Sequence, residues 1–233
     1  GISLGFALQA PEVGKLSPIV EPFAGQPVPA LGQLSVQGVV TGGLESDIQL
    51  SDLNMTLGKE SLLAVKATGG IASLLKQRGI GISIDVKSNQ IGALTPIAQQ
   101  FADQKVPALG PLALTAKVAG DLDKVVRVDG IDFSLGSPDL ILVTATGGME
   151  DAIGQKGLAL DIKADSRQIG ALSPIAQDFA GQKVPALGPL SVAAKVTGDP
   201  TGTLALTGLN VDLGDPQVVK VAVQGGIADL LNQ

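Results

Sequence analysis

The chain repeats itself three times with a period of 78 residues and without insertion or deletion. The tetrapeptide Pro-Ala-Leu-Gly begins at Pro29, Pro107 and Pro185, and glycine doublets recur with the same step at Gly69-Gly70, Gly147-Gly148 and Gly225-Gly226. Such a period predicts that each copy folds as one structural unit and that the fold is an array of that unit. It also favours functions that near-copies perform together, such as a long surface, groove or filament, over a single catalytic pocket.

We place the units at 1–78, 79–156 and 157–233 and expect them to form one continuous array. Repeat arrays usually carry atypical capping units with a polar outer face. The first and last units here are as regular as the middle one. We therefore expect that the chain is an excerpt from a longer array.

Composition argues against several classes of function. The chain has no Cys and no His, which excludes disulfides, zinc–thiolate sites, cysteine nucleophiles and Ser-His-Asp triads. Phe is the only aromatic residue type and the net charge is −6, which argues against nucleic-acid binding. No apolar run approaches the ~18 residues that a membrane-spanning helix needs. We expect no enzymatic activity, no cofactor and no metal site.

The middle unit shows the local structure best. Ile80, Ile82, Ile84 and Val86 alternate with polar or small residues, which predicts a strand with one apolar face. Thr95-Pro96 then resembles an N-cap followed by proline at the first helical position, with an apolar helical stripe that ends at Phe101.

A second strand follows, with Leu112, Leu114, Ala116 and Val118 on one face. The third strand slips in phase by one residue at Asp129-Gly130, and the other units slip at Ser51-Asp52 and Thr207-Gly208, which predicts a β-bulge in each unit. A fourth strand is expected before Gly147-Gly148. We interpret that doublet as a turn and the residues after it as a single helical turn.

The carboxylates are interpreted as solvated groups on turns and polar strand faces, because few of their positions repeat in all three units. They include Asp85, Asp121, Asp129, Asp132 and Asp139. An acid–base mechanism would require two carboxyl groups that converge in a pocket.

The apolar strand faces exceed what the helix can cover. Four strands of about eight residues give a sheet of roughly 19 by 26 Å per unit, or about 500 Å². A seven-residue helix covers only about 100 Å². Exposed apolar patches of this size are rare without a binding role. The sheet could curl or pack against a second sheet to form a closed core, or stay open as a trough for a partner chain or lipid tails.

The repeat resembles the periplasmic repeats of AsmA-like proteins and their TamB relatives. The resemblance lies in Val106-Pro107-Ala108-Leu109-Gly110-Pro111-Leu112, in the strand and Gly120-Asp121 turn that follow, and in Leu204-x-Leu206-x-x-Leu209-x-Val211-x-Leu213-Gly214. It also lies in Ile169-Gly170-Ala171-Leu172-Ser173-Pro174, and it recurs over nearly the whole chain.

The resemblance implies a mainly β, elongated array with a curved, taco-like or groove-like sheet of about four strands and one short helix per repeat. It implies phospholipid or another acyl-chain lipid as the partner, transport between the inner and outer membranes or outer-membrane assembly, and a periplasmic location with a tether to the inner membrane outside this chain.

The predicted groove-lining residues are the apolar strand positions of each unit. They are Leu4, Phe6, Leu34, Val36, Met55, Val65, Ile82, Ile84, Leu112, Leu114, Val126, Phe133, Val143, Leu160, Ile162, Leu190, Val192, Val211 and Val221.

A second hypothesis comes from the evenness of the repeats. Near-identical units in even phase suit a structural protein that assembles into a fibre or lattice through its sheet edges, with further copies of itself as partners.

Overall fold

The structure is a computed structural model that describes residues 1–43, 46–217 and 219–231. It confirms that the protein is mainly β. The described residues form twelve strands in a single antiparallel sheet, and the order of the strands in the sheet is their order in the chain. The strands are β1 (Ile2–Ala10), β2 (Leu34–Gly43), β3 (Ser46–Lys59), β4 (Leu63–Ser73), β5 (Arg78–Ser88), β6 (Leu112–Gly120), β7 (Val126–Ser137), β8 (Ile141–Asp151), β9 (Lys156–Ser166), β10 (Leu190–Gly198), β11 (Leu204–Leu213) and β12 (Val221–Ile227).

Within the residues that the structure describes, three short α-helices connect strands at one end of the sheet. They are α1 (Ser17–Ala24), α2 (Thr95–Ala102) and α3 (Ser173–Ala180), and each follows a 3₁₀ turn (Val13–Leu16, Ile91–Leu94 and Ile169–Leu172). Their first residues are 78 positions apart. Because consecutive strands are antiparallel, the connections that contain the helices (β1 to β2, β5 to β6 and β9 to β10) all lie at the same end.

The start of each helix differs from the sequence-based expectation. Thr95 is not the N-cap, because it already has helical backbone angles and the cap position belongs to Leu94. The 3₁₀ turn runs directly into the helix and takes over the role of a cap. The Thr95 hydroxyl instead bridges the following loop, where it accepts from the Val106 amide at 3.1 Å and donates to the Val106 carbonyl at 3.1 Å.

The phase slips predicted in the third strand of each unit are confirmed as β-bulges. Three residue steps along β3, from Leu50 to Leu53, oppose two steps along β4. The same mismatch occurs in β7 between Val128 and Ile131, and in β11 between Leu206 and Leu209. Each bulge contains one residue of positive φ, namely Asp52 (52°), Gly130 (60°) and Gly208 (59°).

The interpretation of the glycine doublets as turns is wrong. Gly69-Gly70, Gly147-Gly148 and Gly225-Gly226 lie inside strands β4, β8 and β12. The predicted helical turn after Gly147-Gly148 is absent too, because β8 continues to Asp151 and a tight turn then leads into β9. At five of these six positions, all except Gly225, glycine is needed because a backbone oxygen of a neighbouring strand occupies the space that a Cβ atom would take.

The sheet is open and buries few side chains. In the described part of the chain β1 pairs with β2 alone and β12 with β11 alone, so the two strands form free edges. The accessible surface is 13521 Å², against roughly 9,700 Å² for a compact monomer of this mass. None of the described side chains is fully buried. The alternative of a closed sandwich is therefore wrong for the described residues.

Candidate functional site

The pairing register determines which residues share a face of the sheet. Side chains of directly opposite residues project to the same side. Leu114 on β6 lies opposite Val86 on β5 and opposite Phe133 on β7. Phe133 in turn lies opposite Ala145 on β8, which lies opposite Ile162 on β9. An aliphatic row therefore crosses the strands without a change of face.

The same register extends to both edges. Toward one edge the row runs from Val86 to Val65 on β4, Leu57 on β3 and Leu34 on β2. Because each bulge restores the phase after its extra residue, the apolar positions stay on one side through all twelve strands. We call this side the apolar face. Every predicted groove-lining residue lies on it, from Leu4 and Phe6 on β1 to Val221 on β12.

Most of the side chains on this face are partly exposed. In the inner strands most of them are half-buried by their neighbours in the sheet, as Leu114 and Phe133 are. Exposure rises at the edges, to 60% for Leu4 and 47% for Val223. Exceptions are few, such as Ala67 and Val126, which are buried. The face is therefore an accessible aliphatic surface rather than a packed core.

The helices do not cover the apolar face. Ile19 of α1 and Phe179 of α3 are 66% and 50% exposed, and Phe101 of α2 is exposed as well. Residues of the 3₁₀ turns pack more closely, since Val13 and Ile91 are among the few buried apolar side chains. The helices accordingly add apolar surface at one end of the sheet instead of closing it.

A shallow apolar depression lies on this face at the β1 edge. It is lined by residues of β1, β2 and β3, among them Ile2, Leu4, Val40 and Ile48. Its walls are almost purely aliphatic and carry no charge. A depression of this composition suits a hydrocarbon group and offers no group for polar catalysis.

The opposite face of the sheet is polar and ion-paired. Lys87 Nζ lies 3.0 Å from Asp85 Oδ2 on β5, and Lys195 Nζ on β10 lies 3.3 Å from Asp161 Oδ1 on β9. At the ends of the sheet Arg78 Nη2 lies 2.6 Å from Asp123 Oδ2. The two faces of the sheet are thus chemically distinct, one aliphatic and one charged.

The perturbed titrating groups belong to surface pairs. A hydrogen bond from the Ser73 hydroxyl, helped by the Lys76 ammonium, holds the pKa of Asp47 below its ordinary value. The Arg78 guanidinium likewise lowers the pKa of Asp123. Among the residues that the structure describes, no group of three or more acidic side chains is placed to hold a metal ion.

The helical connections contain a hydrogen-bonding residue that the sequence reading missed. Gln90 Oε1 accepts from the amides of Gly92 (3.3 Å) and Gly110 (2.9 Å). Glu12 Oε1 and Gln168 Oε1 make the same pair of contacts in the other two connections. The repeat pattern could have identified this position, because Glu12, Gln90 and Gln168 are 78 residues apart and the residue is always Glu or Gln. They fix the Pro-Ala-Leu-Gly loop against the 3₁₀ turn.

In the described part of the chain no helix is long and apolar enough to cross a membrane. No family model matches the sequence, and comparisons with curated proteins and with solved structures give no match either.

Proposed function

We propose that the apolar face binds the acyl chains of phospholipids and that the protein is a segment of a lipid-conducting groove of the AsmA-like kind. One observation carries the proposal: an aliphatic face extends over all twelve strands and no other part of the described chain covers it. Apolar patches larger than a few hundred Å² are rare on soluble proteins unless they bind something.

The shape required for a groove would come from the bulges. A β-bulge bends its strand and increases the local twist, and here each of β3, β7 and β11 contains one. Bends in every fourth strand would curve the sheet in the same sense along its length. The apolar face would then form the concave side and the charged face the convex side.

The chemistry of binding would be non-directional. Removing apolar surface from water contributes about 25 cal/mol per Å², or about 0.8 kcal/mol per methylene. Leu, Ile, Val and Ala side chains offer no hydrogen bond that would fix an acyl chain at one position. A lipid tail could therefore shift from strand to strand at a nearly constant free energy, while its polar headgroup stays in water at the open side.

The wider setting of this function follows from the resemblance to AsmA-like proteins. On that basis the chain would lie in the periplasm, held to the inner membrane by a segment outside it, and would carry phospholipid toward the outer membrane or serve outer-membrane assembly. No residue acts catalytically in this scheme.

Lipid content tests the proposal. The purified chain is analysed by native mass spectrometry and by organic extraction, and then delipidated and mixed with vesicles that contain a fluorescent phospholipid. Co-purifying phospholipid or uptake of the fluorescent lipid is expected. A chain that is lipid-free as isolated and takes up none from vesicles would rule the proposal out.

The second candidate is a structural protein that assembles through its sheet edges. The observation in its favour is that β1 and β12 each lack a second partner strand in the described sheet. Concentration-dependent filaments in electron microscopy would support it, and a strictly monomeric chain with bound lipid would favour the first candidate.

A further inference from the structure

The two free edges of the sheet correspond to two strands that pair with each other inside the chain. By the 78-residue step, β12 occupies the position of β4 and β8, and β1 occupies the position of β5 and β9. Within the chain β4 pairs with β5, and β8 pairs with β9. The strand that would follow β12 in this pattern is thus of the β1 type.

Both internal junctions use the same register. Ile71 lies opposite Ile80 and Gly69 opposite Ile82 where β4 meets β5. Met149 lies opposite Leu158 and Gly147 opposite Leu160 where β8 meets β9. The junction therefore has a fixed geometry, with the first glycine of each doublet placed opposite a large aliphatic residue.

The glycine doublets show that β12 has room for such a neighbour. A Cβ atom on Gly69 would collide with the carbonyl oxygen of Gly81, and one on Gly147 with that of Ala159. For the corresponding glycine of β12, Gly225, no atom of the described residues lies within 4 Å of the Cβ position. The glycine is thus present at the free edge, while the described residues supply no backbone carbonyl that would require it.

We propose that β12 of one copy pairs with β1 of a second copy in this register. Ile227 then lies opposite Ile2, Gly225 opposite Leu4, and Val223 opposite Phe6. The carbonyl of Ser3 in the second copy would take the place beside Gly225 that the Gly81 carbonyl takes beside Gly69. On the other face Gln224 meets Gly5, so no like charges oppose each other.

This contact joins different surfaces of the two copies, so it leaves a free edge at each end and can continue. Heterologous contacts that do not close by rotation produce filaments, and unpaired strand edges are the usual templates for them. All apolar faces would lie on the same side of the extended sheet. This assembly gives the second candidate function, a structural protein joined through its sheet edges, a defined pair of strands and a defined register. The assembly does not depend on lipid binding.

Disulfide trapping tests the register, because the natural chain contains no Cys. The variant with both Gly5→Cys and Gln224→Cys places one thiol on each edge, and Gly5 has free space around its Cβ position. Oxidation should produce a ladder of dimers, trimers and longer species on a non-reducing gel. Opposite residues in antiparallel strands alternate between wide and narrow spacing. The adjacent pair, Phe6→Cys with Val223→Cys, is therefore tested in parallel. At least one of the two pairs should give the ladder.

The matched control moves one thiol by two residues, in the variant with Gly5→Cys and Ala222→Cys. Diagonal neighbours are about 7–8 Å apart, whereas a disulfide needs Cβ atoms about 3.5–4.5 Å apart. The ladder should therefore be lost. Circular dichroism of each variant checks that the sheet is formed.

Three results would overturn the proposal: no ladder from either in-register pair in a folded variant, an equally strong ladder from the control, or a cross-linked monomer. The last would mean that the sheet closes on itself, since β1 and β12 are otherwise separated by eleven strand spacings of about 4.8 Å. Measuring phospholipid in the same samples keeps a failure of the assembly distinct from a failure of lipid binding.

Discussion

The carbonyl oxygen of Gly81 occupies the space that a Cβ atom on Gly69 would need. Gly69 lies on β4, has a φ of 146° and pairs with Ile82 of the next strand. Gly147 repeats this arrangement on β8, with a φ of 152° and the carbonyl of Ala159 in the same place. The junctions between β4 and β5 and between β8 and β9 thus depend on the absence of a side chain at one position.

Gly69→Ala is expected to destabilise the sheet by about 1–3 kcal/mol, because the new methyl group must displace a backbone carbonyl and Ala is strained at this φ. Gly81→Ala is the matched control. Its Cβ would have nothing within 4 Å, and its φ is not positive. Urea unfolding of the two variants measures the difference. Equal loss of stability in both would contradict this account.

The bulge positions give a second test of backbone conformation. Gly130 has a φ of 60°, and no atom of the described residues lies within 4 Å of its Cβ position, so the cost of a substitution comes from backbone conformation. The first unit tolerates Asp52 at this place. Gly130→Asp should therefore cost at most about 1 kcal/mol, whereas β-branched Gly130→Val should cost about 1–2 kcal/mol more. Thermal unfolding of both variants checks the order, which a similar cost for Asp and Val would contradict.

The bulges also show what the sequence could predict. A change in the phase of alternating apolar and polar residues can be seen in the amino-acid sequence. The phase change at Asp129-Gly130 predicted the bulge in β7 correctly. The same alternation identified which residues share the apolar face, because side-chain direction follows directly from position in a strand.

Other features of the fold depend on contacts between distant residues, which the amino-acid sequence does not show. The glycine doublets resembled turns because glycine is common in turns, but the reason for Gly69 is a carbonyl from another strand. Thr95 resembled an N-cap because nothing in the sequence indicated the 3₁₀ turn that precedes it. The pattern also predicted an apolar face without deciding whether a second layer covers it, since that depends on the whole sheet.

The side chain of Gln90 provides a test of the helical connection. Gln90→Ala leaves the amides of Gly92 and Gly110 without their shared acceptor and should destabilise the protein by about 1–3 kcal/mol. Gln90→Glu keeps an oxygen in place and matches Glu12 of the first unit, so it should stay close to the natural stability at neutral pH. Chemical denaturation measures both. Equal destabilisation by Gln90→Ala and Gln90→Glu would show that the two hydrogen bonds accepted by Gln90 do not account for its contribution to stability.

The pair of Ser73 and Asp47 predicts a pH dependence. The Ser73 hydroxyl donates to Asp47 Oδ1 at 2.6 Å, and this bond lowers the pKa of Asp47 in the folded state. The pair therefore stabilises the fold above the unfolded-state pKa of Asp, and the stabilisation is lost as the pH falls through the folded-state pKa. Carboxyl NMR should find the pKa of Asp47 below that of an unpaired aspartate and find it raised in Ser73→Ala. An unchanged titration in that variant would contradict the assignment.

Leu114 tests whether the apolar face is open in solution and whether it binds lipid. It lies in the middle of β6, half-buried between Val86 and Phe133. On an open face the carboxylate of Leu114→Asp can reach water, so the fold should survive with a loss of about 1–2 kcal/mol while bound phospholipid falls. Under a covering layer the same charge would be buried without a partner, which costs several kcal/mol.

The control is Ala113→Asp, one residue away on the polar face. Ala113 lies opposite Lys87 and Ser134, so a carboxylate there is solvated and close to a cation. It adds the same charge to the same strand and should leave both the melting temperature and the lipid content near their natural values. The two variants are compared by thermal melting and by phospholipid extraction from one preparation each. A collapsed melting temperature for Leu114→Asp alone would show that the face is covered in solution. Intact folds with equal lipid in both variants would place lipid binding elsewhere, whereas lipid lost from Leu114→Asp alone is the result that the open apolar face predicts.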